Sequence, residues 1–299
     1  MEPSFGRALG RPYYPDMPLT ERGRHILFVG IGIVGYVYLA RVLLVEGIQG
    51  DGGLGGIDAI AYWNAAGSAI RGEPLYVIGG FGFGAYQYPP VFAQLLSPLS
   101  LLPMPAFVWL WRGLELVGLR LATGSWVRSG IAILVFPPVI AEIDAGNVHL
   151  MMAGVAALAM RGLAGPVAPA LLVKFSTWPL APLAWMRDRK RFVVGVIVIG
   201  LVVLASYALS PASWSGYIDF LSLHSQPEPG YKILFSVPIP IRLAAAAVVG
   251  LAAVRWVRLA PVAVTLAYPI IWFHALSTLV AIVAPTSPRV AARDADRTA

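Results

Sequence analysis

Residues 192–209 read FVVGVIVIGLVVLASYAL, without a single charged side chain. A run of this kind is close to the ~20 residues that an α-helix needs to cross the hydrocarbon core of a bilayer. Residues 26–40, ILFVGIGIVGYVYLA, repeat the pattern. Further apolar runs cover 91–102, 104–123, 130–141, 147–161, 163–186, 236–256 and 259–284. Only 12% of the 299 residues are charged, against about 25% in a soluble domain, which excludes an ordinary cytosolic enzyme and a disordered tail. Continuous runs, in place of the short alternating segments of an outer-membrane barrel, predict helices. The expectation is an all-α, polytopic integral membrane protein of about eight to eleven membrane segments in one domain.

Several runs are too short to cross alone. Prolines at 137, 138, 179, 182 and 269 interrupt them, which predicts broken or re-entrant helices. Irregular backbone at membrane depth is tolerated only where protein buries it or where it lines a cavity, so such breaks point to a polar site. No internal repeat is evident, which argues against a secondary transporter.

The net charge of +7 would suggest nucleic-acid binding in a soluble chain. Here the basic residues cluster at the ends of apolar runs: Arg7, Arg11, Arg22 and Arg24, then Arg187 to Arg191, Arg255, Arg258, and the tail residues Arg289, Arg293 and Arg297. That is the pattern of a topology signal, and no nucleic-acid partner is expected. It places residues 1–24 and the 187–191 loop in the cytoplasm, and it places the segment 48–90, whose single basic residue is Arg71, outside. Residues 25–284 form the membrane-embedded domain, and 285–299 form a polar basic tail. No cleavable signal peptide is read, so the first span, 26–47, is expected to stay as an anchor. The absence of cysteine removes disulfides, thiolate metal sites and cysteine nucleophiles.

Within the outer segment, Asp58 to Arg71 predicts a helix closed by Gly72 and lying in the interface. Ala59, Ile60, Tyr62, Trp63, Ala66, Ala69 and Ile70 form its apolar side, leaving Asn64, Gly67, Ser68 and Arg71 toward water. The prolines of Tyr86-Gln87-Tyr88-Pro89-Pro90 suit the first turn of a returning helix. The Gly79 to Gly84 run lacks the flanking strand and helix of a phosphate loop.

Six groups are weighed for chemistry. Asp58 either caps its helix or, ionised near a helix start, acts as a general base. Lys174, inside the apolar stretch 167–183, either snorkels to the interface or binds an anion such as a lipid phosphate. His274 follows Pro269 in an apolar run, as a satisfied core residue or an active-site group. Asn147 and His149 open a helix after Asp144 and Gly146, and they either project into a cavity or follow a start capped by Asp144. Glu142 and Asp144 have the spacing of a loop metal pair but lack a third ligand, so no metal site is assigned. Arg112 and Glu115, at i and i+3, are placed to pair within a helix. No Ser, His and Asp grouping marks a hydrolase.

The segments Asp58-x3-Tyr62, Arg71-Gly72-Glu73-Pro74-Leu75-Tyr76, Tyr86-Gln87-Tyr88-Pro89-Pro90-Val91-Phe92-Ala93 and Pro98-Leu99-x2-Leu102-Pro103 resemble glycosyltransferase family 87. Gly146-Asn147-Val148-His149, then Ala170 to Lys174, then Pro269-x2-Trp272-x-His274 follow in the family's order. This sequence departs from the family's pattern at Phe175, where Pro is usual, and at Asn147 and His149, where Gln and Asn are common. These are membrane glycosyltransferases of the GT-C superfamily, typified by mannosyltransferases that use polyprenyl-phosphate mannose.

The resemblance implies that Asp58 matches the catalytic aspartate and that His274 matches a histidine beside the active site. Lys174 matches the lysine after the short helix and would, with Asn147 and His149, meet the donor phosphate. Tyr62, Tyr86, Gln87, Tyr88 and Trp272 would shape the cavity and the acceptor side. It implies inverting transfer of one sugar, mannose, from a polyprenyl-phosphate donor to a glycolipid or glycan hydroxyl on the outer face of a bacterial plasma membrane. Since a monophosphate donor needs little charge compensation, no cofactor is expected and the reaction is expected to be metal-independent. Two alternatives stay open at this point. One is a non-enzymatic lipid-linked-sugar carrier, or an inactive relative that binds the lipid without turnover. The other is an arabinofuranosyltransferase.

Overall fold

Helix α1, Ile57–Arg71, is the element from which the rest of the molecule is most easily placed. The computed structural model describes residues 55–76, 85–223 and 237–286, together with Gly23, Ile26, Val29, Gly30, Ile33, Val34 and Val37. Most of the N-terminal segment 1–24 and of the first span 26–47, the Gly79 to Gly84 run and nearly all of the tail 285–299 lie outside the described residues. Ala59, Tyr62 and Ala66 recur on one side of α1 and are buried, as helical spacing requires. Asn64 and Arg71 are exposed as expected, but so is Ile70, in the last turn. The helix stops where Gly72 turns left-handed (φ 69°), a conformation that glycine adopts without steric cost.

Pro89 and Pro90 start α2, Pro90–Leu96, where a missing backbone N–H does no harm, and a 3-10 turn Ser97–Leu101 follows. Helix α3, Met104–Thr123, coincides with the apolar run expected there. It packs against α6, His149–Met160, through two glycines. A Cβ on Gly118 would lie 2.5 Å from the Leu150 carbonyl oxygen, and one on Gly154 would lie 3.1 Å from Gly118 Cα. Close backbone approach of this kind is how helices associate without bulky apolar side chains between them.

Helices α4, Trp126–Val135, and α5, Pro137–Ala145, meet at 96°. Pro137 pushes Phe136 out of helical geometry (φ −125°, ψ 86°), so the expected break at 137–138 is present. Helix α7, Val167–Val173, ends at the extended Lys174, and the 3-10 segment Phe175–Leu180 contains Pro179. Pro182 makes no break, because it falls in the first turn of α8, Ala181–Leu209.

The Arg187 to Arg191 stretch, expected as a loop, is instead a kink within α8. Asp188 alone is non-helical (φ −153°, ψ 70°), and its Oδ1 accepts the Arg191 backbone N–H at 3.2 Å, capping the second half. Helix α9, Pro211–Leu223, was not anticipated, since its serines and Asp219 interrupt any apolar run. Helix α10, Ile239–Ala252, a 3-10 turn Val257–Leu259 and α11, Ala260–Leu266, follow. Residues 267–273 then run without helix around Pro269 to a 3-10 segment, His274–Val283. Three residues per turn align Ala275, Thr278 and Ala281 on one buried line.

Every described element is helical. Among the described residues, one stretch, Phe175–Leu209, is long and apolar enough to cross a membrane, and α4 with α5 qualifies if the bent pair counts as one span. The outer surface of α8 carries Val194, Ile197, Val198, Leu201 and Leu204, all exposed. Eight to eleven crossings are therefore not evident from helix length alone.

Candidate active site

The start of α1 and the turn between α5 and α6 are held together by their backbones. Gly56 N–H donates to the Asp144 carbonyl at 2.6 Å. Gly146 is left-handed (φ 70°), and a Cβ there would sit 2.9 Å from Ala59 Cβ. Only glycine lets these two segments come so close without strain. Their approach brings Asp58 beside Asn147, 89 residues further along the chain.

Asp58 does not cap α1. Gly56 occupies the cap position with no side-chain hydrogen bond, while Asp58 Oδ2 accepts Asn147 Nδ2–H at 2.5 Å. The Val148 backbone N–H donates to Asn147 Oδ1 at 2.7 Å, which orients the amide, and the Tyr88 hydroxyl donates to the same oxygen at 2.9 Å. Tyr88 OH in turn accepts from the Tyr62 hydroxyl at 2.9 Å, and Lys174 Nζ lies 3.5 Å from it. Burial raises the Asp58 carboxyl above its ordinary range, and the Asn147 hydrogen bond and then the Lys174 charge partly offset this.

Lys174 sits where α7 ends. Its Nζ is 2.7 Å from His149 Nε2 and faces the rings of Tyr268 (4.8 Å to the centroid) and Tyr88 (5.5 Å). On the far side of His149, Glu142 Oε2 lies 2.8 Å from Nδ1, and Glu142 Oε1 accepts the His149 backbone N–H at 2.5 Å. The His274 ring centroid is 5.4 Å from that of His149, and Trp272 lies parallel to His274, 6.3 Å away. His274 Nε2 is buried with no hydrogen-bond partner among the described residues. The segment bearing both is clamped by Arg242, whose Nη1 and Nη2 donate to the Tyr268 and Pro269 carbonyls, each at 2.7 Å.

Asp58, Asn147, His149, Lys174, His274, Tyr88 and Trp272, named from the sequence, are thus one connected group. Tyr62 supports it from below, buried and packed edge-on against Tyr88 and Phe92. Tyr86 plays a different part: its hydroxyl donates to Pro89 O (2.8 Å) and accepts Ala93 N–H (2.9 Å), pinning the start of α2. Gln87 is half-buried beside it and is not a member of the chain of hydrogen bonds above.

The sequence marks Glu142 only as half of a loop metal pair with Asp144 and does not mark Tyr268 at all; both reach the site through the fold. Glu142 turns both oxygens to His149, and Asp144 Oδ1 and Arg112 Nη2 lie 2.7 and 3.0 Å from where a Cβ on Gly55 would stand. Glu115 is fully buried with neither oxygen hydrogen-bonded among the described residues, so Arg112 makes no hydrogen bond to it. Glu142, His149 and His274 do bring three possible ligand atoms within 4.8 Å of one another. Both ring nitrogens of His149 already have partners, however, and a cation there would have to displace Lys174 or break the Glu142 contact.

The arrangement combines a proton acceptor, a cation and an unpartnered imidazole in one partly dehydrated site. Such a set can deprotonate a hydroxyl and stabilise negative charge on a departing group. In comparison with known proteins, the model of glycosyltransferase family 87 matches residues 86–294. No curated protein and no solved structure matches.

Proposed function

The chain belongs to glycosyltransferase family 87, and from that premise we propose that it transfers one mannose from a polyprenyl-phosphate donor to a hydroxyl of a glycolipid or glycan, with inversion. The observation that carries this reading is the held carboxylate of Asp58. Asn147 occupies Oδ2, leaving Oδ1 to accept the proton of an acceptor hydroxyl. The hydroxyl oxygen attacks the anomeric carbon as the bond from that carbon to the phosphate oxygen breaks. The electron pair leaves with polyprenyl phosphate, and Asp58 keeps the proton until solvent takes it. Lys174, and His274 through its Nε2, meet the growing phosphate charge, a role that gains strength where water is scarce.

In this reading residues 25–284 form a single membrane-embedded domain with several short helices, and Asp58 faces the outer side of a bacterial plasma membrane. The exposed apolar face of α8 supports it, as does the scarcity of basic residues in 48–90. The reaction needs no metal or other cofactor.

The test is transfer of radiolabelled sugar from polyprenyl-phosphate mannose by purified protein in lipid, with a membrane glycolipid extract as acceptor, for wild type and Asp58→Asn. Transfer that vanishes in the variant while donor binding persists is the expected result. Transfer only from the arabinofuranose donor reassigns the sugar, and donor binding without transfer from either donor turns the reading to a carrier or inactive relative.

A further inference from the structure

Lys174 lies between two carboxylates and touches neither. On one side Tyr88 and Asn147 separate it from Asp58, and on the other His149 separates it from Glu142. Its close polar contacts are a neutral phenol at 3.5 Å and an imidazole nitrogen at 2.7 Å, with two aromatic faces around them. A cation hydrogen-bonded to neutral groups keeps its charge for a ligand, whereas one in a direct ion pair has spent it.

Glu142 decides which protons face Lys174. Its Oε1 accepts the His149 backbone N–H, and its Oε2 lies 2.8 Å from the ring Nδ1. With Glu142 ionised its oxygens can only accept, so Nδ1 carries the ring proton. Nε2 is then a lone pair, and the Lys174 ammonium donates to it. Of the three ammonium donors, one goes to His149 and a long one to Tyr88, which leaves the third for an anion.

We infer that Glu142 and His149 are a positioning pair that fixes the His149 tautomer and thereby holds the Lys174 ammonium, undischarged, against a phosphate monoester of the donor lipid. This rests on the donor chemistry proposed above. Neither residue touches substrate in this role. Among the described residues, His274, 5.4 Å from His149 between ring centroids, Asp58, across Asn147 and Tyr88, and the phenols of Tyr88 and Tyr268 are the other titratable groups that face Lys174.

The Glu142→Gln variant tests the inference with almost no change of shape. A glutamine that still accepts the His149 backbone N–H presents its NH2 to Nδ1, forces the proton to Nε2 and turns it against the ammonium. Losing a hydrogen bond to a charged group predicts that affinity for polyprenyl monophosphate in lipid nanodiscs falls about tenfold or more. In the transfer assay kcat/KM for the donor falls equally, while KM for the acceptor is unchanged. In a His149→Asn background, Glu142→Gln adds little, because the residue it acts through is gone. Independently of activity, 15N-histidine spectra of the wild type should show His149 as the Nδ1–H tautomer, assigned by its loss in folded His149→Asn. An Nε2–H tautomer, or Glu142→Gln binding polyprenyl monophosphate as wild type does, overturns the inference. Absence of sugar transfer by wild type would instead sink the proposed function, and the binding and tautomer measurements would still decide this one.

Discussion

Asn147 Nδ2 donates to Asp58 Oδ2 at 2.5 Å, joining a carboxylate on α1 to the turn that opens α6. The amide orientation is set by the Val148 N–H, which needs its oxygen, and by the Asp58 carboxylate, which takes its NH2. One residue therefore aims the proposed base and lowers its proton affinity.

The pH dependence of transfer follows from that contact. Burial raises the Asp58 carboxyl, and the ionised form is the active one, so transfer should fall with acid at a pH above the ordinary carboxylate range. Asn147→Leu removes the hydrogen bond that favours the ionised form and should move this acid limb to still higher pH. A pH profile of kcat for both proteins checks it; an unmoved limb would show that another group sets it.

Stability should run opposite to activity at this site. A carboxyl raised on folding holds its proton more tightly in the folded state, so its contribution is favourable at low pH and is lost as pH climbs from the unfolded carboxyl's range through the raised value. At neutral pH the ionised, buried Asp58 costs stability, and Asp58→Asn should melt at the same or a higher temperature while losing about 100-fold or more in transfer. A lower melting temperature for Asp58→Asn would count against this account.

Gly146→Ala should loosen the site without touching a catalytic group. The left-handed backbone (φ 70°) and the 2.9 Å approach to Ala59 both oppose a Cβ. The cost should be about 1–3 kcal/mol, read as a lower melting temperature, with transfer reduced because α1 no longer sits against Asn147.

Arg242 clamps the non-helical segment that carries Trp272 and His274. Arg242→Lys keeps the charge but loses the two-pronged contact to neighbouring carbonyls, so it should recover little of what Arg242→Ala loses in kcat. Full recovery by lysine would mean that charge, not geometry, is what the segment needs.

Metal independence is open to a direct check. Transfer should persist in EDTA, because the closest grouping, Glu142, His149 and His274, already uses both nitrogens of His149. Complete loss restored by a divalent ion would make that grouping a metal site.

Much of the architecture is determined by local sequence. The apolar run 104–123 became one helix, the Pro89-Pro90 pair began another, and Gly72 and Phe136-Pro137 stopped or bent helices where backbone chemistry demands it. These are short-range effects, set by hydropathy, missing N–H groups and glycine's freedom, and a sequence displays them directly. The α8 kink, with Asp188 acting as an internal cap, and the serine-rich α9 were hidden because charge and polarity there mimic a loop.

The site is of another kind. Asp58, Asn147, Lys174 and His274 were singled out by residue type and by resemblance, yet nothing local states that Asn147 binds Asp58 or that His149 stands between Lys174 and Glu142. Those contacts depend on backbone approach between segments 89 residues apart, permitted by Gly146, and on the bend at Phe136 that turns α5. Sequence alone determined which groups could do chemistry here. Only the tertiary structure decided their partners and hence which proton faces which atom, because hydrogen bonds act over about 3 Å and only packing brings distant residues that close.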